Sequence, residues 1–213
     1  GTFRMNVALS ELPRFTARPG EGVQPHHRAS IQIAPSLDYL ERAYRDALAY
    51  GWARQPVIEM AIPSAMDDSL APPGCHVASL FCQHFAPRLP DGRDWDRERD
   101  AAADAIIATV AQYSPNFERA VIARRLLSPA DLEREFHLVG GDIFHGALHL
   151  DQIWMQRPAP GWAGYRTPVA GVWLCASGAH PGGGVSALPG RNAAREIVRA
   201  LRGRRPARDR PAR

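Results

Sequence analysis

Residues 175–197, CASGAHPGGGVSALPGRNAAREI, hold five glycines and two prolines between an apolar run and a helical pattern. The run before it, VAGVWLCAS at 169–177, has the length and the β-branched and aromatic content of a strand. After it, PGRNAAREIVRALR reads as a helix with Pro189 near its start and Ala193, Ile197 and Leu201 on one face. A strand, a glycine turn and a helix make the geometry in which main-chain N–H groups converge on an anion. Glycine serves there because a side chain would hold the ligand off the main chain. The stretch is not a P-loop, since no Gly-Lys-Ser/Thr follows, and the dinucleotide fingerprint G-x-G-x-x-G occurs nowhere in the chain. A connection that merely turns tightly is the other reading.

A second group of reactive residue types lies at 140–154, GGDIFHGALHLDQIW, with His145, His149 and Asp151. An acid–base pair is one reading. Turn capping by Asp142 and Asp151, with His145 ordering the loop, is the other. Trp154, Trp162 and Trp173 read as core or pocket wall. Cys75, His76, Cys82 and His84 match no common zinc spacing, and the adjacent His26 and His27 sit in a loop, so no metal site is expected. Three cysteines at unpatterned spacing suit free thiols in a reducing, cytoplasmic location.

The elements that must position these residues alternate between strand and helix. FRMNVAL (3–9), ASIQIAP (29–35), PVIEMAIPS (56–64), HVASLFCQHF (76–85) and RAVIARRLL (119–127) read as strands. In 76–85, Val77, Phe81 and Phe85 are expected on one face and Ala78, Leu80 and Cys82 on the other, both covered. The helix at 36–51 has Ser36 as N-cap, Gly51 as C-cap, and Leu37, Leu40, Tyr44 and Leu48 as its expected buried face. The helix at 94–116 carries Ala103, Ile106, Ile107 and Val110 as its buried stripe, and Ser128-Pro129 opens a helix over 128–136. The expected fold is α/β (α+β): a mixed or antiparallel sheet with helices on one face, followed by a strand–turn–helix.

The net charge is +4, and every basic residue is arginine. The tail RGRRPARDRPAR, 202–213, carries +5, leaving −1 on the remaining 201 residues. A solvated, disordered tail is the expectation for it, with contact to nucleic acid or peripheral contact to an anionic membrane as the other uses such a tail could have. With no basic surface elsewhere, nucleic-acid binding by the fold is not expected. No run approaches 18 apolar residues, and no signal peptide is read at the N-terminus. The abrupt start without a methionine suggests a piece of something longer.

Two blocks carry a family resemblance: GVWLCASGAHPGGGV with PGRNAA, and SPADLEREFHLVGGDIFHGALHLDQIWMQRPAPGWAGYRTPVAGVWLC at 128–175. They resemble the C-terminal part of phytoene desaturase-like FAD-dependent oxidoreductases, in particular the pyridine nucleotide-disulfide oxidoreductase domain-containing branch. The resemblance is specific over 128–197 and loose over 1–127. It implies part of a substrate-binding domain over 1–136, the closing segment of a Rossmann-like FAD-binding domain over 137–201, and the tail beyond. It implies FAD as cofactor, with Ser177 and Gly178 near the ribityl and phosphate groups. His180 and Pro181 would shape the turn, and Gly182, Gly183, Gly184 and Val185 would pass the flavin edge. His145, Asp151 and Trp154 are the substrate-pocket candidates, and no catalytic residue is assigned. The family favours Gly where this chain has Ala176 and Ala187, and a small residue at Leu188, so the main chain at those positions is expected to resist a Cβ.

The implied reaction removes hydride from a lipophilic or isoprenoid-like small molecule. The implied partner is the chain or segment that supplies the G-x-G-x-x-G half. Self-association through an apolar face left open is a further expectation. The alternative from another class is a catalytically silent interaction module that keeps the fold without FAD.

Overall fold

The computed structural model describes residues 1–203. It divides into two compact units, Gly1–Asp142 and the segment from Ile143 onward. This boundary lies six residues beyond the 136/137 division expected from sequence, because Val139–Gly141 turns back onto the preceding helix. The basic residues 204–213 lie outside the described residues; Arg202 and Gly203 close the last helix. Among the described residues no helix is long and apolar enough to cross a membrane.

The first unit is built on five strands: β1 (Thr2–Leu9), β2 (Ile31–Ile33), β3 (Trp52–Ala61), β4 (His76–Phe85) and β5 (Val121–Leu127). They form one antiparallel sheet in the order β2-β3-β4-β1-β5. The period of two in β1 sets the sheet's inside. Phe3, Met5, Val7 and Leu9 are buried and Arg4 and Asn6 are exposed. Helix α2 (Trp95–Ala111) covers that face, entered through Asp94, whose carboxylate accepts from the Arg97 N–H. Its Ala103, Ile106, Ile107 and Val110 join the strand residues in one cluster, as the sequence stripe predicts. Phe3, Phe85 and Trp95 meet at its edge with ring centroids 5.2–6.0 Å apart.

The structure corrects three local expectations. Phe85 does not share a face with Val77 and Phe81. His84 takes φ +69, the alternation breaks there, and Phe85 turns into the core with Leu80 and Cys82, leaving Val77 and Phe81 half-buried. The helices are not confined to one face. Val57 and Ile58 are consecutive in β3 and so point oppositely; Ile58 joins the α2 cluster, and Val57 packs under α1 (Leu37–Tyr50).

α1 begins and ends as expected, with the Ser36 hydroxyl accepting from the Tyr39 N–H and Gly51 left-handed at φ +93. Yet its buried residues are Tyr39 and Ala43, while Leu37, Tyr44 and Leu48 are exposed. The reason is polar. The register of β3 against β4 shifts between Trp52 and Val57, and the Tyr39 hydroxyl donates to the Pro56 carbonyl at 2.8 Å. Leucine has no donor to offer there. Burial in this position pushes the Tyr39 phenol up to about 12.

The unit closes with a helical turn α3 (Phe117–Ala120) and α4 (Pro129–Phe136). At the start of α4, the Ser128 hydroxyl accepts from the Asp131 N–H, and the Asp131 carboxylate accepts from the Ser128 N–H and hydroxyl. Both residues are buried, so the box also satisfies donors that water cannot reach.

The second unit has little regular structure: short 3₁₀ turns at Leu150–Gln152 and Trp154–Gln156, and helix α5 (Leu188–Gly203). The expected strand at 169–177 does not form. Arg166 and Trp173 make an isolated antiparallel bridge, the Leu174 N–H donates to the Tyr165 carbonyl at 2.8 Å, and Gly171 turns the run at φ +84. A strand needs a ladder partner, and among the described residues of this unit the run finds one by folding back beside Tyr165–Thr167, which leaves Val169 and Val172 exposed. On α5, Ala193 is buried, Ile197 half-buried and Leu201 exposed, so the expected face is covered only at its first turns.

Two outcomes follow from this packing. Ser128→Ala removes a buried cap from the Asp131 N–H and one of the two donors at position 128 to the Asp131 carboxylate, and urea denaturation followed by circular dichroism is expected to show a loss of about 2 kcal/mol. Burial raises the Cys82 thiol well above its usual range, whereas Cys175 is exposed. Because the thiolate is the reactive form, Ellman's reagent is expected to modify Cys175 in the native protein and Cys82 only after denaturation.

Candidate functional site

The glycine bend of the second unit is held by two residues that no motif in the sequence singles out. Arg157 is 1% exposed, and its guanidinium is spent on main-chain carbonyls. Nε and Nη2 donate to the Ser177 carbonyl at 3.1 and 2.8 Å, and Nη2 also donates to the Phe144 carbonyl. The outer nitrogens reach the His145 and Gln152 carbonyls at 3.5 Å. One side chain thus ties the 144–152 loop to the entry of the bend. Burying a charge this fully is tolerated only when its donors are met.

Tyr165 is the second residue. Its hydroxyl donates to the His180 carbonyl at 2.9 Å and accepts from the Asn192 Nδ2 at 2.9 Å, joining the turn before the triple glycine to the first turns of α5. The sequence did carry a signal for Arg157. It is the sole charged residue between Asp151 and Arg166, in a stretch of Gly, Pro, Trp and Ala. A lone charge in such a setting has to be solvated or buried with a purpose.

The bend has an inner and an outer side. On the inner side Gly182 is buried beside Leu148 and Arg157, and a Cβ built on Gly183 would lie 3.1 Å from the Phe144 ring. The outer side runs from Gly184 to Ala187, all exposed. Gly184 takes φ +119, and a Cβ built on it, or on Gly178, meets nothing within 4 Å. Val185 and Ala187 hold φ +55 and +58, a conformation that costs a side-chain-bearing residue roughly 1–2 kcal/mol. For Ala187 this is the strain anticipated at a position where glycine is favoured. Ala176 shows no such φ.

Ser177 and His180 enter the site through their carbonyls, on Arg157 and Tyr165 respectively. Pro181 follows a cis peptide bond. His145 lies on an exposed turn at φ +55, Asp151 on the exposed Leu150–Gln152 turn, and Trp154 is 70% exposed. Among the described residues no hydrogen bond joins the His145 ring to the Asp151 carboxylate, so the acid–base pair is not assembled within this unit. Trp154 is likewise not a buried wall. A cleft of about 290 Å³ in this unit is lined instead by Arg166, Val169, Trp173, Ile197 and Leu201, with the Arg166 guanidinium 4.7 Å from the centre of the Trp173 ring.

These residues suit one wall of a flavin site. The bend bares main chain on its outer side, as the approach of a flat ring requires, and secures its inner side with Arg157 and Phe144. The described residues of this unit do not enclose such a ring.

No family model matches the chain. The chain is 46% identical over 204 residues to mouse "pyridine nucleotide-disulfide oxidoreductase domain-containing protein 2", covering 93% of this chain and 35% of that protein. It is 29% identical over 205 residues to one component of the limonene dehydrogenase of Castellaniella defragrans, covering 93% of this chain and 37% of that one. It is 30% identical over 125 residues to the "phytoene desaturase (lycopene-forming)" of Pseudescherichia vulneris, covering 58% and 24%. The chain is therefore similar to oxidoreductases of the phytoene desaturase-like kind, and it spans about a third of the length of the mouse and Castellaniella relatives.

Replacing the central cation tests this architecture. Arg157→Met keeps length and loses every donor, leaving several carbonyls unpaired, and is expected to destabilise the second unit by at least about 3 kcal/mol. Limited proteolysis should then cut within 143–187 under conditions that spare the parent, while the fragment Gly1–Asp142 persists.

Proposed function

We propose that this chain supplies part of the substrate-binding domain and the closing flavin segment of an FAD-dependent oxidoreductase. Bound FAD would supply the acceptor for a hydride taken from a lipophilic, isoprenoid-like donor. Ser177 and Gly178 would stand toward the ribityl and phosphate groups, and Gly184 and Val185 would run along the ring edge, with the buried Gly182 and half-buried Gly183 backing them from the inner side. The exposed amides around Val185 would be the donors to a ring carbonyl, where preorganised donors favour the charge that reduction places on the ring. His180 and Pro181 shape the turn, with Tyr165 and Arg157 as positioning residues that hold the bend rigid.

The observation that carries this reading is the two-sided bend: fastened from within, open main chain without, and a strained Val185 at the tip. Strain of this kind is retained where surroundings or ligand require it. The names of the relatives support the substrate class, since limonene and phytoene are both isoprenoid hydrocarbons. The remainder of the dinucleotide site, including a G-x-G-x-x-G segment, would come from polypeptide outside residues 1–213. The largely exposed run at 169–174 is the natural strand to pair with it, because its apolar and β-branched content exceeds what its present hairpin uses.

Absorbance after gel filtration tests the assignment. The protein purified with its full complement of polypeptide is expected to retain the visible flavin bands, Gly184→Val to lose them, and Ala187→Gly to tighten FAD binding about fivefold by relieving the left-handed alanine. Protein that is colourless, and that takes up no added FAD, would overturn the proposal in favour of a silent interaction module.

A further inference from the structure

The first unit holds a cleft of about 250 Å³, remote in sequence from the glycine bend. Its floor and sides are apolar, with Phe15, Ile31 and Ile33, and Tyr113 adds a phenol. Arg18, His26 and Gln32 add polar groups to the lining. Arg18 is the single formally charged residue of the lining. Among the described residues no carboxylate lies within ion-pair range of it. The His26 Nε2 is sealed from water and has no hydrogen-bond partner.

The neighbouring histidine behaves differently. The His27 Nδ1 accepts from the Gln24 N–H at 3.0 Å, which fixes the proton on Nε2, and Nε2 donates to the Pro13 carbonyl at 2.9 Å. His27 is thus fully used in holding the loop. His26 leans edge-on against Phe15, ring centroids 5.7 Å apart, with one nitrogen unspent. Burial first, then the nearby His27 and Arg18, hold its imidazolium below the usual range, so near neutral pH the ring is uncharged and offers one N–H.

A buried polar atom without a partner costs about 1–3 kcal/mol, which a ligand in the cleft would recover once the ring turns that nitrogen toward it. An unpaired arginine beside it selects for negative charge, and the apolar walls select for a hydrocarbon body. The cleft lies just under the ~300 Å³ at which pockets for drug-sized ligands begin, so the occupant is small.

We propose that this cleft is a binding site for a small amphipathic carboxylate. Its head pairs with the Arg18 guanidinium and takes a hydrogen bond from the His26 ring as that ring turns about its Cβ–Cγ bond. Its hydrocarbon body lies along Phe15, Ile31 and Ile33. The site is independent of the flavin reading and stands if that reading fails.

Titration calorimetry with octanoate, octanol and acetate separates the contributions of head and body. Octanoate is expected to bind saturably at one site, octanol at least tenfold more weakly, and acetate without detectable saturation. Arg18→Ala, on an exposed loop position, should weaken octanoate at least tenfold with an unchanged melting temperature, while Arg195→Ala, in the second unit, should leave it unchanged. In the unsubstituted protein, the carbon-bound ring protons of His26 should shift in heteronuclear NMR spectra as octanoate is added. Octanol binding as tightly as octanoate, indifference to Arg18→Ala, or a still His26 resonance at saturation would each overturn the proposal.

Discussion

Each unit is organised by the need to give buried main-chain carbonyls a donor where no ladder or helix provides one. Arg157 does this for Ser177 and Phe144, and Tyr165 for His180. In the first unit the Tyr39 hydroxyl serves Pro56, and the Asn116 side chain donates to Leu12 while accepting from the Arg14 N–H. None of these donors could be exchanged for an apolar residue of similar size without leaving a carbonyl unmet. Side chains that look in the sequence like ordinary solvent-facing polar groups therefore decide which way the helices turn and how the loops close.

This explains the split between what the sequence made legible and what it concealed. Local signals were sufficient for the ends of elements. Ser36 with Gly51, Asp94, and Ser128-Pro129 mark α1, α2 and α4 because a cap acts within one turn of the chain. The period-two patterns of β1 and β4 were equally plain, apart from the break at His84, whose positive φ has no signature in the residue type. The rotation of α1 was hidden for another reason. Its leucines form a clear stripe, but the tyrosine that faces inward answers to a carbonyl seventeen residues away on a strand whose register slips.

The candidate site was legible in composition and not in geometry. The glycines at 178 and 182–184 announce a bend, and the family resemblance, not composition, marks Ala187 as a side chain where glycine is favoured, in keeping with its left-handed backbone. The residues of 169–177 have strand preferences, so composition alone points to a strand there. Preference does not create a ladder, and within this unit the run closes on itself around Gly171. The lone charge of Arg157 in its stretch marks it as a residue with a purpose, but the role itself depends on four loop positions converging, which no spacing rule encodes.

The sheet's two margins carry a consequence for how copies of the protein meet. β2 is three residues long, and β5, the other margin, carries Arg124 and Arg125, with Arg124 bound to Asp100 and Asp104 of α2. A short margin offers few hydrogen bonds to an incoming strand, and a margin whose guanidinium groups are paired to Asp100, Asp104 and Glu135 would have to give up those pairs or their water as a strand docked. Growth by strand addition is thereby discouraged at both flanks. The apolar side chains this unit leaves bare are spread over several elements, among them Leu37 and Leu48 on α1, Ile122 on β5 and Phe136 on α4, so a contact built from them would be one of side chains and not of backbone ladders.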